Sequence, residues 1–196
     1  MSSDNVIPFR RPDALSKFAA SSFVTRRYGT ADAARLSAFE KRYGIHFSDG
    51  YRNFLMRENG LDYSLAPEAD KATIDDDRRD RFVLSDINTL FGIGNGHTYY
   101  DLEKLAPKMD FHDYDFTPFA HVIGLGGDFC TLVEISGGRY DGHIMYTDGE
   151  LFSGFRGAGV AYKSTDEAVD YLVEAGYYSV IASDVCDLIT KYARFV

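Results

Sequence analysis

A chain of 196 residues, 45% hydrophobic and 26% charged, is long enough for one well-buried core and ordinary in composition for a globular protein. No apolar run approaches the roughly 20 residues that cross a bilayer, and Cys130 and Cys186 form neither a disulfide framework nor a CxxC pair. The net charge of −9 is unevenly placed: residues 1–50 carry a net +3, while residues 101–150 set ten Asp and Glu against Lys104, Lys108 and Arg139, a net −7.

In the first 29 residues Ser and Arg break the apolar stretches that a secretory leader needs, and Asp4 and Asp13 count against a mitochondrial presequence. The cytoplasm is the expected location. Leu15, Phe18, Ala19, Ser22 and Phe23 share an apolar face, so a helix over 15–23 packed on the domain is expected.

TADAARLSAFEKRYG follows, with Leu36, Phe39 and Tyr43 on one helical face, Thr30 or Asp32 as cap and Gly44 as stop. SDGYRNFLMRENG predicts a second helix: Ser48 or Asp49 caps it, Tyr51, Phe54 and Leu55 face inward, and Asn59-Gly60 supplies a left-handed stop. Residues 62–80, including DDDRRDR, are charged and weakly patterned, and are expected to form a solvated loop or strand flank. FVLSDINTLFG runs into FGIGNGH, and TYYDLEKLAP predicts a short helix ended by Pro107.

Strand-like runs rich in β-branched and aromatic residues then appear at Val122-Ile123, Phe129–Ile135 and 142–147. Gly126-Gly127, Gly137-Gly138 and Asp148-Gly149 punctuate them where an antiparallel meander would turn. STDEAVDYLVEAGYY returns to helix, with Ser164 or Thr165 as cap, Glu167 in capping-box position and Ala168, Tyr171 and Leu172 inward. SDVCDLITKYARFV predicts a last helix with Val185, Leu188, Ile189 and Tyr192 inward. Helices, a meander and helices again describe an α+β fold.

Chemical motifs are sparse. FGIGNGH lacks the Lys-Ser/Thr of a P-loop and the spacing of a dinucleotide fingerprint, which favours a connector over a phosphate cradle. The five histidines form no close ligand pair, and His112 beside Asp113 and Asp115 needs a third ligand to hold a metal. Cys130 could act as a nucleophile only if the fold brought His121 or His143 to it, and its apolar strand suits a buried thiol instead. Asp128, after two glycines, suits a hairpin-holding role better than that of a base. No catalytic, cofactor-binding or metal site is expected.

The order of segments resembles the SUKH superfamily, which includes the Smi/Knr-type cell-wall regulators of fungi. LSAFEKRYGIHFSDGYRNFLMRENG carries its opening signature at Phe39, Glu40, Gly44, Tyr51, Arg52, Phe54, Leu55, Asn59 and Gly60, with His46-Phe47 in place of the usual Leu-Pro. LFGIGNG, HVIGLGGDFCTLVEI, HIMYTDGE and STDEAVDYLVEAG resemble the later segments in order, although the tryptophan common after the late strand is missing. The likeness covers roughly residues 33–176, and residues 1–29 are expected to form an extension to a single domain at 30–196. It implies an α+β fold with a curved, mostly antiparallel sheet packed on helices, and no enzymatic activity or cofactor.

The resemblance further implies an immunity protein that neutralises a polymorphic toxin, of nuclease or deaminase class, or else a regulatory scaffold that binds host proteins. The acidic middle suits a basic toxin domain and disfavours direct nucleic-acid binding. DFHDYDF interleaves Asp110, Asp113 and Asp115 with Phe111, Tyr114 and Phe116, a mixture suited to an interface. The partner-binding candidates are Asp110, Asp113, Tyr114, Asp115 and Phe116, with Asp141, Asp148 and Glu150 as a second acidic group. The same composition also fits an acidic loop whose aromatics anchor it to the core.

Overall fold

The computed structural model describes residues 12–64, 87–106, 119–126, 131–147, 162–176 and 178–192. Helix α1 spans Pro12–Ala19, with proline in the first turn, where its missing N–H costs nothing. Leu15, Phe18 and Ala19 are buried, and the Phe18 ring meets Tyr63 edge-on at 5.4 Å. The helix stops at Ala19, short of the expected Phe23, and after a turn Val24–Arg27 forms strand β1.

Helix α2 (Ala33–Tyr43) is capped by Asp32, whose carboxylate accepts the Arg35 N–H at 2.7 Å. Gly44 ends it at φ 66°, a left-handed conformation that a Cβ would strain. Helix α3 (Asp49–Arg57) begins at Ser48, whose Oγ accepts the Tyr51 N–H. Tyr51, Phe54 and Leu55 are buried as their spacing predicts, and Asn59 takes φ 43° just beyond the helix.

The remaining strands are β2 (Leu61–Tyr63), β3 (Ile87–Leu90), β4 (Ala120–Gly126), β5 (Thr131–Ile135), β6 (Ile144–Thr147) and β7 (Ser179–Ala182). With β1 they form a seven-stranded antiparallel sheet in sequence order, each strand paired only with its neighbours along the chain. The meander is thus longer than the sequence patterning suggests, with β1, β2 and β7 added at its two ends. Register shifts interrupt four of the six pairings, and such bulges bend a sheet. From Ala120 to Leu125, and throughout β5, consecutive residues are buried, so both faces of the central strands are covered.

Helix α4 (Leu102–Leu105) follows the glycine loop, and a 3-10 turn spans Gly138–Tyr140. Helix α5 (Thr165–Glu174) starts at Ser164, whose Oγ accepts the Glu167 N–H, while the Glu167 carboxylate reaches back to the Lys163 N–H. Its buried residues are Ala168, Val169 and Leu172. Tyr171, expected inside, lies on the helix flank at 45% exposure, against Tyr162. Helix α6 (Val185–Tyr192) buries Val185, Leu188 and Ile189 and packs on α1, α3 and β7.

Candidate functional site

The glycine loop does cradle an anion, and the anion is the protein's own. Gly94 N–H donates to Asp101 Oδ1 at 2.7 Å and Gly96 N–H to Oδ2 at 3.1 Å. Asp101, only 2% exposed, also caps α4 by accepting the Glu103 N–H. The backbone donors that could hold a phosphate are therefore occupied. Asn59 closes the other side, bonding both the N–H and the carbonyl of Ile93. A Cβ on Gly92 would lie 1.9 Å from the Asn59 carbonyl oxygen, so the close approach of loop and helix end requires glycine there.

A second polar cluster lies inside the sheet. His121 on β4 and Glu134 on β5 are paired across the ladder, 1% and 0% exposed. His121 Nε2 is 2.8 Å from Glu134 Oε2. Ser48 donates its hydroxyl to Oε1 at 2.5 Å and its backbone N–H to Oε2 at 3.2 Å. Phe47 and Tyr51 lie against the His121 ring. Burial, reinforced by the Glu134 charge, pushes the Tyr51 hydroxyl well above its ordinary range. The serine here bonds the carboxylate, and the His121 and Glu134 side chains are shut off from solvent while Ser48 is half-buried. The cluster ties the α3 start to the sheet centre.

The signature residues of the opening segment serve the same framework. Glu40 accepts from Arg52 through Oε2 and from the Phe47 N–H at 2.9 Å through Oε1. Position 47, where the resemblance leads one to expect a proline, thus has its additional N–H satisfied. The Tyr51 hydroxyl donates to the Phe91 carbonyl at 2.9 Å, linking α3 to the glycine loop.

Of the ten acids in residues 101–150, four lie among the described residues: Asp101, Glu103, Glu134 and Asp141. Three are committed internally, to the loop, to Arg35 and to the His121 cluster. The Arg35 guanidinium reaches Glu103 with two hydrogen bonds, at 2.6 and 2.7 Å, and holds its carboxyl below the usual range. Asp141 is exposed, although its Oδ1 accepts the Gly137 N–H at 2.6 Å. Asp110, Asp113, Tyr114, Asp115, Phe116, Asp148 and Glu150 lie outside the described residues, as do His112, Asp128 and Cys130.

Near Asp141, Asp170 is held below its usual range by the Tyr140 hydroxyl and by Arg139, which forms an ion pair with it. His143 is half-buried against the Tyr140 ring. Cys186 is pushed up to about 12 by burial and by Asp184, so it is a poor nucleophile. Among the described residues no group of three or more His, Cys, Asp or Glu could hold a metal ion, and no helix is long and apolar enough to cross a membrane. Sequence reasoning missed the assembly of Arg26, Tyr28 and His97 beside the loop, because β1 was not expected and nothing local marks it.

A family model described as SMI1 / KNR4 family (SUKH-1) matches residues 30–189, from just before α2 into α6. No curated protein matches the chain.

Proposed function

The chain belongs to the SMI1 / KNR4 family (SUKH-1), and on that premise we propose that it is a non-catalytic immunity protein that binds and neutralises a polymorphic toxin. The toxin domain would be basic, of nuclease or deaminase class, and the encounter would take place in the cytoplasm. Family membership carries this reading. It is supported by the disposition of the polar groups, since His121 and Glu134 are buried against each other and the glycine loop holds its own carboxylate.

The binding face in this proposal is Asp110, Asp113, Tyr114, Asp115 and Phe116, with Asp141, Asp148 and Glu150 beside it or in its place. Its carboxylates would meet Lys and Arg of the toxin and speed association, while its aromatics would anchor the complex. The structure sharpens the charge argument, because Asp101, Glu103 and Glu134 already have internal partners. The attraction then rests on the remaining acids.

The test is association kinetics with the cognate toxin domain, across a salt series. Charge steering predicts that association slows as salt screens beyond about 10 Å at 0.1 M. Replacing Asp110, Asp113 and Asp115 together by Asn should weaken binding and flatten the salt dependence. Truncating Tyr114 or Phe116 should mainly raise the dissociation rate. Unchanged kinetics in the triple variant would move the face to Asp141, Asp148 and Glu150. Toxin activity unaffected by an excess of this protein, with host proteins bound instead, would favour a regulatory scaffold.

A further inference from the structure

A series of rings runs from the β1 edge of the sheet to the tip of the glycine loop. The Arg26 guanidinium lies 5.0 Å over the Tyr28 ring, and Tyr28 meets His97 edge-on at 5.3 Å. His97 stacks on Tyr100 at 4.8 Å, and Tyr99 follows at 6.3 Å with 69% of its surface exposed. The Tyr28 hydroxyl bonds Asp62, and His97 Nδ1 accepts the N–H groups of Tyr99 and Tyr100, each at 3.0 Å. The rings are held in place before any partner arrives.

Two exposed cations, Arg26 and Lys104, lie beside them. Among the described residues no carboxylate pairs with Arg26 or with Lys104, and both are exposed. Lys104 Nζ donates to the carbonyls of Gly96 and His97, at 3.2 and 2.7 Å, which positions the ammonium without neutralising it. Of the nearby carboxylates, Asp101 is bound by the loop and Glu103 by Arg35, while Asp62, opposite Arg26 across the β1–β2 ladder, bonds the Tyr28 hydroxyl and lies 3.8 Å from His97 Nε2.

We infer that this ladder is a docking surface for an acidic protein segment, one that carries Asp or Glu beside an aromatic or aliphatic side chain. Tyrosine and arginine dominate the energetics of interfaces, and rings held rigid lose little entropy on binding. Exposed Arg26 at the Tyr28 end of the ladder and Lys104 at its loop end select the partner's sign. Single-stranded nucleic acid also stacks on aromatic platforms, but it needs a row of cations, and a net charge of −9 opposes it. The surface belongs to the β1 edge and the glycine loop, whereas Asp141 lies between β5 and β6, so the inference does not rest on the toxin reading.

The experiment is an NMR titration of the full chain with three probes: a Glu–Tyr copolymer peptide, a Lys–Tyr copolymer peptide and a short thymidine oligonucleotide. The Glu–Tyr peptide should shift the backbone amides of residues 26–28 and 97–104. Tyr99→Ser should weaken its binding about tenfold, and Arg26→Glu with Lys104→Glu should abolish it. All three side chains are exposed, so the variants should melt at the wild-type temperature, which excludes unfolding as the cause. The inference is overturned if the Glu–Tyr peptide moves no resonance in these segments, if the variants bind it equally well, or if the Lys–Tyr peptide or the oligonucleotide binds the ladder more tightly.

Discussion

Asn59 and Ile93 hold each other in both directions: the Ile93 N–H donates to Asn59 Oδ1 at 2.8 Å, and Asn59 Nδ2 donates to the Ile93 carbonyl at 3.1 Å. Asn59 is 3% exposed and left-handed at φ 43°, so one residue both stops α3 and satisfies the buried loop.

Asn59→Ala removes both bonds and keeps the strained backbone. It should lower the unfolding free energy by about 2–4 kcal/mol, measured by urea denaturation. Asn59→Gly relieves the backbone without restoring the bonds, and should recover about 1 kcal/mol of that loss. Equal destabilisation by both variants would mean that the left-handed conformation contributes nothing.

The His121–Glu134 pair makes a separate prediction. Glu134→Ala leaves His121 and Ser48 facing a cavity that once held a carboxylate. Breaking a buried pair in this way should cost about 3–5 kcal/mol. Ser48→Ala removes both the helix cap and a hydrogen bond to the buried carboxylate, and should cost about 2–3 kcal/mol. Thermal and urea unfolding give both values, and a Glu134→Ala variant within 1 kcal/mol of wild type would contradict the sealed arrangement.

Arg35 and Glu103 give a pH-dependent increment. The hydrogen bonds from Arg35 hold the Glu103 carboxyl below its ordinary value of 4.5. Because the folded value is depressed, the stabilisation is present above 4.5 and is lost as the pH falls through the folded value. Both side chains are about 40% exposed, so solvent limits the increment to about 0.2–1 kcal/mol. A double-mutant cycle of Arg35→Met and Glu103→Gln should show this coupling at neutral pH and its decline in acid. A coupling independent of pH would point to packing rather than charge.

Local signals were legible in the sequence. Asp32, Ser48 and Ser164 cap their helices because capping depends on a side chain and a backbone N–H three residues away. The short strands were not legible. In β2, LDY has only three residues with Asp62 in the middle, and in β1, VTRR carries two exposed arginines. Their pairing is decided by neighbouring strands rather than by their own composition. Tyr171 shows the limit of helical periodicity, since a residue on the flank of the stripe is displaced outward when Val169 fills the contact. Charge was countable but its disposition was not: Asp101 and Glu134 add to the acidic total yet turn inward.

The sheet and the helices impose opposite demands on folding. Every described strand pairs with its neighbour in the chain, and the central pairings β4–β5 and β5–β6 need only the short connections 127–130 and 136–143 to close. The packing of α1 on α6 joins residues 12–19 to residues 185–192, the longest closure in the described fold. Such a contact forms after the pairings that bring its ends together. Substituting Phe18 or Leu188 should therefore speed unfolding while leaving the refolding rate nearly unchanged, and the clasp between α1 and α6 would set how long the folded state lasts rather than how quickly it is reached.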